Sequence, residues 1–319
     1  MPVPDKQSLI EVRVEGIRFG ARDINVYEFV KPDGTPLPPS APGAHIDVHL
    51  PGNIVRQYSL IQAGLDTNKY AIGVKLDAQS RGGSSYMHHK LRVGSTLTIS
   101  APRNNFPLNE AAPHSILFAG GIGITPIWCM WRRLKSVGGS SQLYYSSRSR
   151  RDVVFHDQLA NDAAAVLHLD DESSGGVLDL QKIIGAASKD AHLYCCGPLP
   201  MLKAFESAAA SWPAEQVHVE YFTPQAEAAV AGGFTVKLAR SGTQVKIVPG
   251  QTILSALRAA GVDAPYSCEE GLCGACMTTV LSGMPDHRDT VLTPAERAAN
   301  NKIMICCSGS KDDVLVLDL

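Results

Sequence analysis

The chain has 319 residues, which is enough for two or three domains, each with its own hydrophobic core. Hydrophobic residues make up 45% of the chain, charged residues 19%, and the formal net charge is −2, so no basic excess points to nucleic acid. We find no apolar segment of signal-peptide or membrane-spanning type, and we expect a monomeric cytoplasmic protein without a membrane partner. In that compartment, eight cysteines are more typical of ligands, buried thiols or redox groups than of disulfides.

The first hundred residues predict an antiparallel β-barrel. Short alternating runs separated by Gly and Pro turns indicate six strands, at residues 9–19, 24–30, 45–50, 55–61, 70–75 and 96–100. Within the fourth run, Arg56 and Tyr58 share one face of the strand. This face suits a flavin, with Tyr58 against the ring and Arg56 toward the phosphate, although a barrel tyrosine is more often simple packing.

A phosphate-binding loop is predicted between the fifth and sixth strands. The segment 80–85 combines glycines, a cation and hydroxyls, and it leads into a predicted helix at residues 86–91. Free N–H groups and the dipole at a helix start favour an anion. We expect His88 and His89 on this helix to be exposed rather than ligands.

From residue 114 the pattern changes to strands that alternate with helices. The predicted strands cover residues 115–119, 142–146, 165–169, 192–195 and 217–220, and the predicted helices cover 126–135, 153–160, 179–184 and 199–210. Such alternation indicates a doubly wound parallel sheet, whose ligand site lies at the carboxyl ends of the strands.

Candidate nucleotide-binding residues follow several of these strands. After the first strand, Gly121 and Gly123 allow a pyrophosphate to approach the backbone, although such a turn is as often a tight connection. Arg148, after the second strand, suits a 2′-phosphate, a diphosphate or solvent, and Asp171 suits the ribose. Neither residue decides between NADH and NADPH. We expect Cys129 and Cys195 to be buried small residues.

Three cysteines near the C-terminus, Cys268, Cys273 and Cys276, have the C-x4-C-x2-C spacing of a plant-type 2Fe–2S cluster, and a distant fourth cysteine completes the set. Gly271 and Gly274 permit the positive φ that a wrapped loop needs. A zinc site would pair C-x2-C units or add histidine, and a Rieske centre would replace two cysteines by histidines. Around the loop we predict a hairpin at 234–238 and 244–248, a helix at 253–260 and a last strand at 313–319.

Several motifs resemble the flavin domain of the ferredoxin reductase superfamily, and most closely the phthalate dioxygenase reductase and vanillate demethylase reductase family. They are R-x-Y-S at 56–59, G-V-K at 73–75, R-G-G-S at 81–84 and A-P-R-N-N-F-P-L at 101–108. The resemblance implies FMN and NADH as cofactors. It implies an FMN site that includes Arg56, Tyr58, Ser59, Lys75, Arg81, Gly82, Gly83 and Ser84.

The resemblance extends to the other two domains. G-x-G-x-x-P at 121–126 is the family's nicotinamide motif, and it implies an NADH site that includes Gly121, Gly123, Thr125, Ser147, Arg148, Asp171, Cys196 and Gly197. In the C-G-P element Cys196 would face the nicotinamide, and Phe222 would lie beside the flavin. The C-terminal pattern resembles plant-type ferredoxins, and the family spacing of 29 residues after Cys276 favours Cys306 over Cys307 as the fourth ligand.

We therefore predict a multidomain protein with an FMN-binding Greek-key β-barrel at 1–110, an NAD-binding doubly wound α/β domain at 111–223, a linker at 224–233 and a β-grasp ferredoxin domain at 234–319. The resemblance implies the reductase component of a Rieske-type aromatic oxygenase, which passes electrons from NADH through FMN and the cluster. We expect no general acid or base, because the residues bind and align cofactors. Alternatives are a reductase for a cytochrome P450 or a di-iron hydroxylase, and a redox sensor. The aromatic substrate would be bound by the oxygenase and not by this chain.

Overall fold

A computed structural model of the chain describes residues 9–63, 68–173 and 176–319. The chain divides into two compact units, Met1–Glu220 and Tyr221–Leu319. Within the described residues, no helix combines the length and apolar character that crossing a bilayer requires. The finer domain boundaries stay predictions.

The first sheet of unit 1 is the predicted antiparallel barrel. Its strands are β1 (Leu9–Ala21), β2 (Ile24–Val30), β3 (Ala44–Leu50), β4 (Ile54–Ser59), β5 (Tyr70–Lys75), β6 (Thr96–Ser100) and the short β7 (Arg103–Asn104). The order is β4-β3-β6-β1-β2-β5, and an antiparallel bridge between Leu60 and Ile72 joins the two ends. Alternate side chains fill the interior, including the fully buried Val12, Tyr27 and Ile46, so the period-two pattern confirms the barrel.

Helix α1 (Gly83–His89) begins three residues earlier than predicted, after Gly82 at φ +93°. The expectation that His88 is exposed is wrong, because its side chain is partly buried where the helix lies against the barrel. The His88 ring bonds the Val74 carbonyl at 2.9 Å, and its Nδ1 lies 3.4 Å from the Asn25 amide. His89 is exposed, as expected.

The second sheet of unit 1 is parallel throughout, with the order β10-β9-β8-β11-β12. Its strands are β8 (Ser115–Gly120), β9 (Ser141–Ser147), β10 (Ala165–Leu169), β11 (His192–Cys196) and β12 (Val217–Glu220). The helices are α2 (Ile124–Ser136), α3 (His156–Leu159), α4 (Leu180–Gly185) and α5 (Leu199–Ala208), with 3₁₀ turns at Gly121–Gly123, Arg150–Asp152 and Ala214–Gln216. The predicted doubly wound domain is confirmed. Cys129 and Cys195 are buried, as expected.

Helix α3 is a single turn, although the sequence predicts eight helical residues at 153–160. Phe155 has φ +62°, a left-handed conformation that an α-helix cannot contain, and the helix therefore starts only at His156. The Phe155 ring stacks on Trp128 with the centroids 4.3 Å apart. This tertiary contact accompanies the left-handed turn that shortens the helix.

Unit 2 is the predicted β-grasp fold. Its elements are β13 (Phe234–Leu238), β14 (Gln244–Ile247), α6 (Ile253–Ala259), β15 (Met277–Ser282), β16 (Pro285–Asp286), α7 (Pro294–Ala299), β17 (Lys302–Met304), β18 (Gly309–Ser310) and β19 (Val314–Leu317). The main sheet has the order β14-β13-β19-β15-β17, with β13 and β19 parallel. Val236, Leu257 and Leu315 are fully buried in a core that α6 shares with the sheet.

Two features of unit 2 add to the sequence interpretation. Helix α7 was not predicted, although the T-x-x-E signal is present: Thr293 and Glu296 form a capping box. In the segment 224–233, the Ala229 N–H bonds the Cys307 carbonyl at 2.7 Å, and the Val230 carbonyl accepts from the Gly250 N–H at 2.8 Å. The second half of the proposed linker is therefore attached to the β-grasp fold.

Candidate functional site

Four cysteine thiols of unit 2 lie together. The Cys268 thiol is in hydrogen-bonding contact with those of Cys273 and Cys306, and the Cys276 thiol contacts that of Cys306. The pKa of Cys273 is raised mainly by its contact with Cys268 and secondly by burial. The pKa of Cys276 is raised mainly by its contact with Cys306 and secondly by burial. Thiolates crowded in this way require a positive charge between them, which the iron ions of a cluster supply.

The loop backbone suits a cluster as well as the thiols do. The Glu270 N–H lies 3.3 Å from the Cys268 sulfur, and the Ala275 N–H lies 3.3 Å from the Cys273 sulfur. Gly271 and Gly274 have φ of +72° and +74°, which a side chain would disfavour. N–H groups directed at sulfur stabilise thiolate charge, so this loop fits a 2Fe–2S cluster.

Cys307 lies outside this group. Its buried sulfur is 3.8 Å from the Met304 carbonyl, and a Cβ built on Gly271 would lie only 2.6 Å from it. The sulfur therefore packs against the loop backbone, whereas Cys306 contacts the other thiols. The ligand set Cys268, Cys273, Cys276 and Cys306 stays a prediction, and this geometry supports it.

The predicted flavin residues of unit 1 meet beside α1. The Arg56 guanidinium donates to the Arg81 carbonyl at 3.2 Å, and a Cβ built on Gly83 would lie 2.6 Å from Arg56 Cγ. Gly82 and Gly83 therefore allow the loop to close over Arg56. Burial raises the pKa of Tyr58, so the phenol stays neutral.

The rest of the proposed phosphate loop is tied by hydroxyl groups. Ser84 Oγ accepts from the Asp77 N–H at 3.1 Å and lies 3.0 Å from Ser80 Oγ, which in turn accepts from the Ser85 N–H. Lys75 is exposed at the end of β5. These bonds hold the loop in place, and the contacts of Arg56, Arg81 and Ser84 with an FMN phosphate stay predictions.

Glycines bring the carboxyl ends of β8 and β11 into close contact. A Cβ on Gly123 would lie 2.2 Å from the Cys196 carbonyl oxygen, and the Cβ of a residue replacing Gly120 would lie 3.2 Å from Gly197 Cα. Gly121 has φ +53°, and its carbonyl accepts from the Tyr145 hydroxyl at 3.1 Å. The two backbones thus meet at the edge where a parallel sheet binds its ligand.

The other predicted nucleotide residues lie at the same edge. Thr125 is buried, and its hydroxyl bonds the Ile122 carbonyl at 3.0 Å. The Ser147 hydroxyl is buried without a partner among the described residues. Arg148 and Asp171 are exposed and adjacent, since the Asp171 N–H donates to the Arg148 carbonyl at 3.1 Å. Their contacts with a dinucleotide stay predictions.

A buried carboxyl that sequence reasoning missed lies at the end of β12. Glu220 contacts the Ser59 hydroxyl, at the end of β4, and the Cys196 thiol, at the end of β11. Burial raises the pKa of Glu220 to about 8, and both contacts oppose that rise only in part. The pKa of Cys196 is held well above its ordinary value, mainly by burial and secondly by the charge of Glu220. The only sequence signal was an acidic residue ending a strand.

The group formed by Ser59, Cys196 and Glu220 is neutral near pH 7. It joins the barrel to the parallel sheet, where the R-x-Y-S and C-G-P elements meet. The Cys196 thiol is fully buried against Glu220, and its predicted approach to the nicotinamide stays a prediction. Phe222, two residues beyond Glu220, is 38% exposed, and its place beside the flavin likewise stays a prediction.

Comparison with known proteins identifies the family of the chain and of its C-terminal part. Residues 236–310 match the family model of the 2Fe-2S iron-sulfur cluster binding domain. A phenoxybenzoate dioxygenase subunit beta from Ectopseudomonas oleovorans is 47% identical over 97% of this chain and 97% of its own length.

Two solved structures resemble the whole chain. A phthalate dioxygenase reductase, described as a modular structure for electron transfer from pyridine nucleotides to 2Fe–2S, is 38% identical, with a TM-score of 0.73 and 98% of both chains covered. An intact type IV self-sufficient cytochrome P450 monooxygenase is 39% identical, with a TM-score of 0.89. The match covers all of this chain but only 43% of that one.

Proposed function

Because the chain belongs to the phthalate dioxygenase reductase family of oxygenase reductases, we propose that it is the reductase component of a Rieske-type non-haem iron aromatic oxygenase. The family membership confirms an oxidoreductase that uses FMN, NADH and a 2Fe–2S cluster and serves an oxygenase system. The finer assignment to a Rieske partner is the proposal.

The observation that carries the proposal is the end-to-end match to a phthalate dioxygenase reductase, which covers 98% of both chains. The match includes the separate ferredoxin unit, whose cysteines lie together in this structure. Such a unit supplies a one-electron exit to a protein partner.

FMN, when bound, would supply the conversion between the electron pair of NADH and the single electrons that a cluster carries. The chain's own residues bind and align. Arg56 and the loop around Gly82 and Gly83 would hold the flavin phosphate, and the backbone at Gly121 and Gly123 would take the pyrophosphate.

Glu220 has a different part in this proposal. Its carboxyl holds a proton near pH 7 and places no negative charge where a hydride donor and a flavin would meet. Its contacts with Ser59 and Cys196 keep it positioned between the barrel and the parallel sheet.

A second candidate is a reductase for a cytochrome P450, favoured by the match of this whole chain to part of a self-sufficient P450 monooxygenase. Reconstitution with purified oxygenases distinguishes the two. We expect NADH-dependent product with a Rieske oxygenase and little with a P450 or a di-iron hydroxylase. Product only with the P450 would refute the Rieske assignment. Slow NADH oxidation with ferricyanide would instead indicate a redox sensor.

A truncation tests the order of transfer. A chain ending at Gly232 retains unit 1 and Phe222, so it should still reduce ferricyanide with NADH. It should not support product formation, because the one-electron exit is gone. Product formation at the full-length rate would refute the proposed order.

The proposed setting is a monomer in the cytoplasm, where NADH is supplied and thiolate ligands stay reduced. Sedimentation of the purified protein at working concentration tests the first point. Fractionation of the producing cell tests the second.

A further inference from the structure

Arg258, in the last turn of α6, reaches across the start of the cysteine loop. Its guanidinium carbon lies 4.4 Å from the centre of the Tyr266 ring, and its Nη1 donates to Glu269 Oε1 at 3.3 Å. The two contacted residues lie on either side of Cys268. A single side chain of the helix therefore links both flanks of one cysteine.

Cys268 is the cysteine that most needs such a link. It is only partly buried, whereas Cys273, Cys276 and Cys306 are buried. Surrounding packing therefore holds three of the thiols, and the fourth lies nearest to solvent.

Glu269 has an unusual backbone conformation for its residue type. Its φ is +57°, a left-handed conformation that is unfavourable for a residue with a Cβ. Gly271 and Gly274 adopt positive φ in the same loop without that cost. The ion pair with Arg258, in which both side chains are about half exposed, is a contact that opposes relaxation of this backbone.

The conformation of Glu269 affects the sulfur directly. The left-handed turn precedes the Glu270 N–H, which lies 3.3 Å from the Cys268 sulfur. If residue 269 relaxed to negative φ, this N–H would turn away from the sulfur. The contacts of Arg258 thus bear on both the place of Cys268 and the donor that faces it.

We propose that Arg258 is a positioning residue for the 2Fe–2S cluster, which clamps Tyr266 and Glu269 and so holds Cys268 and the Glu270 N–H in ligating geometry. The inference rests on the cluster domain and is independent of which oxygenase accepts the electrons. Arginine suits this task because its planar group stacks on a ring while it donates to a carboxylate, which a lysine ammonium does far less well.

The first test measures how fast the purified holoprotein loses iron to an excess of chelator. The visible absorbance of the cluster reports this loss. Arg258→Ala should lose iron about fivefold faster than the unsubstituted protein, which corresponds to about 1 kcal/mol. Arg240→Ala is the matched control. Arg240 forms an exposed two-point ion pair with Asp318, in the last segment of the chain, and its removal should leave the rate unchanged. Equal rates for the two alanine variants would refute the clamp.

The second test separates the clamp from simple charge. Arg258→Lys keeps the positive charge but loses the planar stack, so it should lose iron at least twofold faster and lower the reduction potential of the cluster. A rate and potential equal to those of the unsubstituted protein would mean that only charge matters, and the proposal would fail.

The third test addresses the strained residue. Glu269→Ala removes the ion pair and keeps the backbone cost, whereas Glu269→Gly removes both. The glycine variant should therefore retain iron longer than the alanine variant, and adding Arg258→Ala to it should have a smaller effect than in the unsubstituted protein. Equal rates for the two Glu269 variants would show that no strain is held by the clamp.

Discussion

Replacing Glu220 by glutamine should remove a pH dependence from the stability of unit 1. The carboxyl is buried at the junction of β4, β11 and β12, and its Oε2 has no partner among the described residues. Glutamine has nearly the same volume as glutamate, so it can keep the contacts with Ser59 and Cys196. Its amide does not titrate, so position 220 would stay neutral at every pH.

The sign follows from the raised pKa. The folded-state pKa is about 8 and the ordinary value is 4.5, so the folded chain keeps a proton that the unfolded chain releases. The stabilising contribution is complete below about pH 4.5 and is lost as the pH rises through 8. Between those values each pH unit lowers the free energy of unfolding by about 1.4 kcal/mol, or roughly 2–3 kcal/mol from pH 5.5 to 7.5.

Tryptophan fluorescence measures this effect in unit 1 alone, because all three tryptophans, Trp128, Trp131 and Trp212, lie in it. Urea unfolding of the flavin-free protein between pH 5.5 and 7.5 avoids any pH dependence of cofactor binding. The difference in unfolding free energy between Glu220→Gln and the unsubstituted protein should grow steadily with pH in favour of the variant.

The exposed Glu215, five residues earlier, supplies the control. Glu215→Gln should show the same pH dependence as the unsubstituted protein. Parallel curves for the unsubstituted protein and Glu220→Gln over the whole range would refute the argument that burial holds a proton on Glu220.

Three further sets of substitutions test the cofactor sites. Cys306→Ser should abolish the normal visible spectrum of the cluster while Cys307→Ser keeps it, because a serine oxygen is a poorer ligand than thiolate for the iron of such a cluster. The opposite result would make Cys307 the ligand. Arg56→Ala or Arg81→Ala should weaken FMN binding by about ten- to a hundredfold, because each removes one charge-assisted contact. Flavin release on dilution measures this effect, and the cluster spectrum should stay unchanged. Full retention of FMN would exclude that contact. Gly123→Ala would place a Cβ 2.2 Å from the Cys196 carbonyl oxygen, so its melting temperature and NADH affinity should both fall. Gly185→Ala, in helix α4 with open space around it, should lower neither. Normal NADH binding by the first variant would place the dinucleotide elsewhere.

Local pattern was sufficient for most of the secondary structure. The predicted bounds of β10, β12 and β13 agree with the structure, since alternation of apolar and polar residues depends only on a strand's own neighbours. The length of α3 could not be predicted, because the left-handed turn at Phe155 accompanies its stacking on Trp128, 27 residues earlier in the chain. Likewise, the burial of His88 depends on bonds to β2 and β5.

The cysteine spacing also carried its own information. Three thiols within nine residues must share one loop, so the sequence alone determined the type of site. The family spacing favours Cys306 over Cys307 as the fourth ligand. Only the tertiary structure shows that the Cys306 sulfur contacts the thiols of Cys268 and Cys276, whereas the Cys307 sulfur packs against the backbone of Gly271.

The sequence thus determined the order of domains, the type of cluster and the positions of the glycines that allow close backbone contact, because each depends on spacing along the chain. The tertiary structure decided the properties that depend on neighbours far apart in sequence. Glu220 has a raised pKa because its carboxyl is buried where the ends of β4, β11 and β12 meet, and its contacts with Cys196 and Ser59 oppose that rise only in part. Arg258 reaches Glu269 because α6 packs beside the loop. Desolvation and charge contacts arise between side chains in space, and no pattern within one segment reports them.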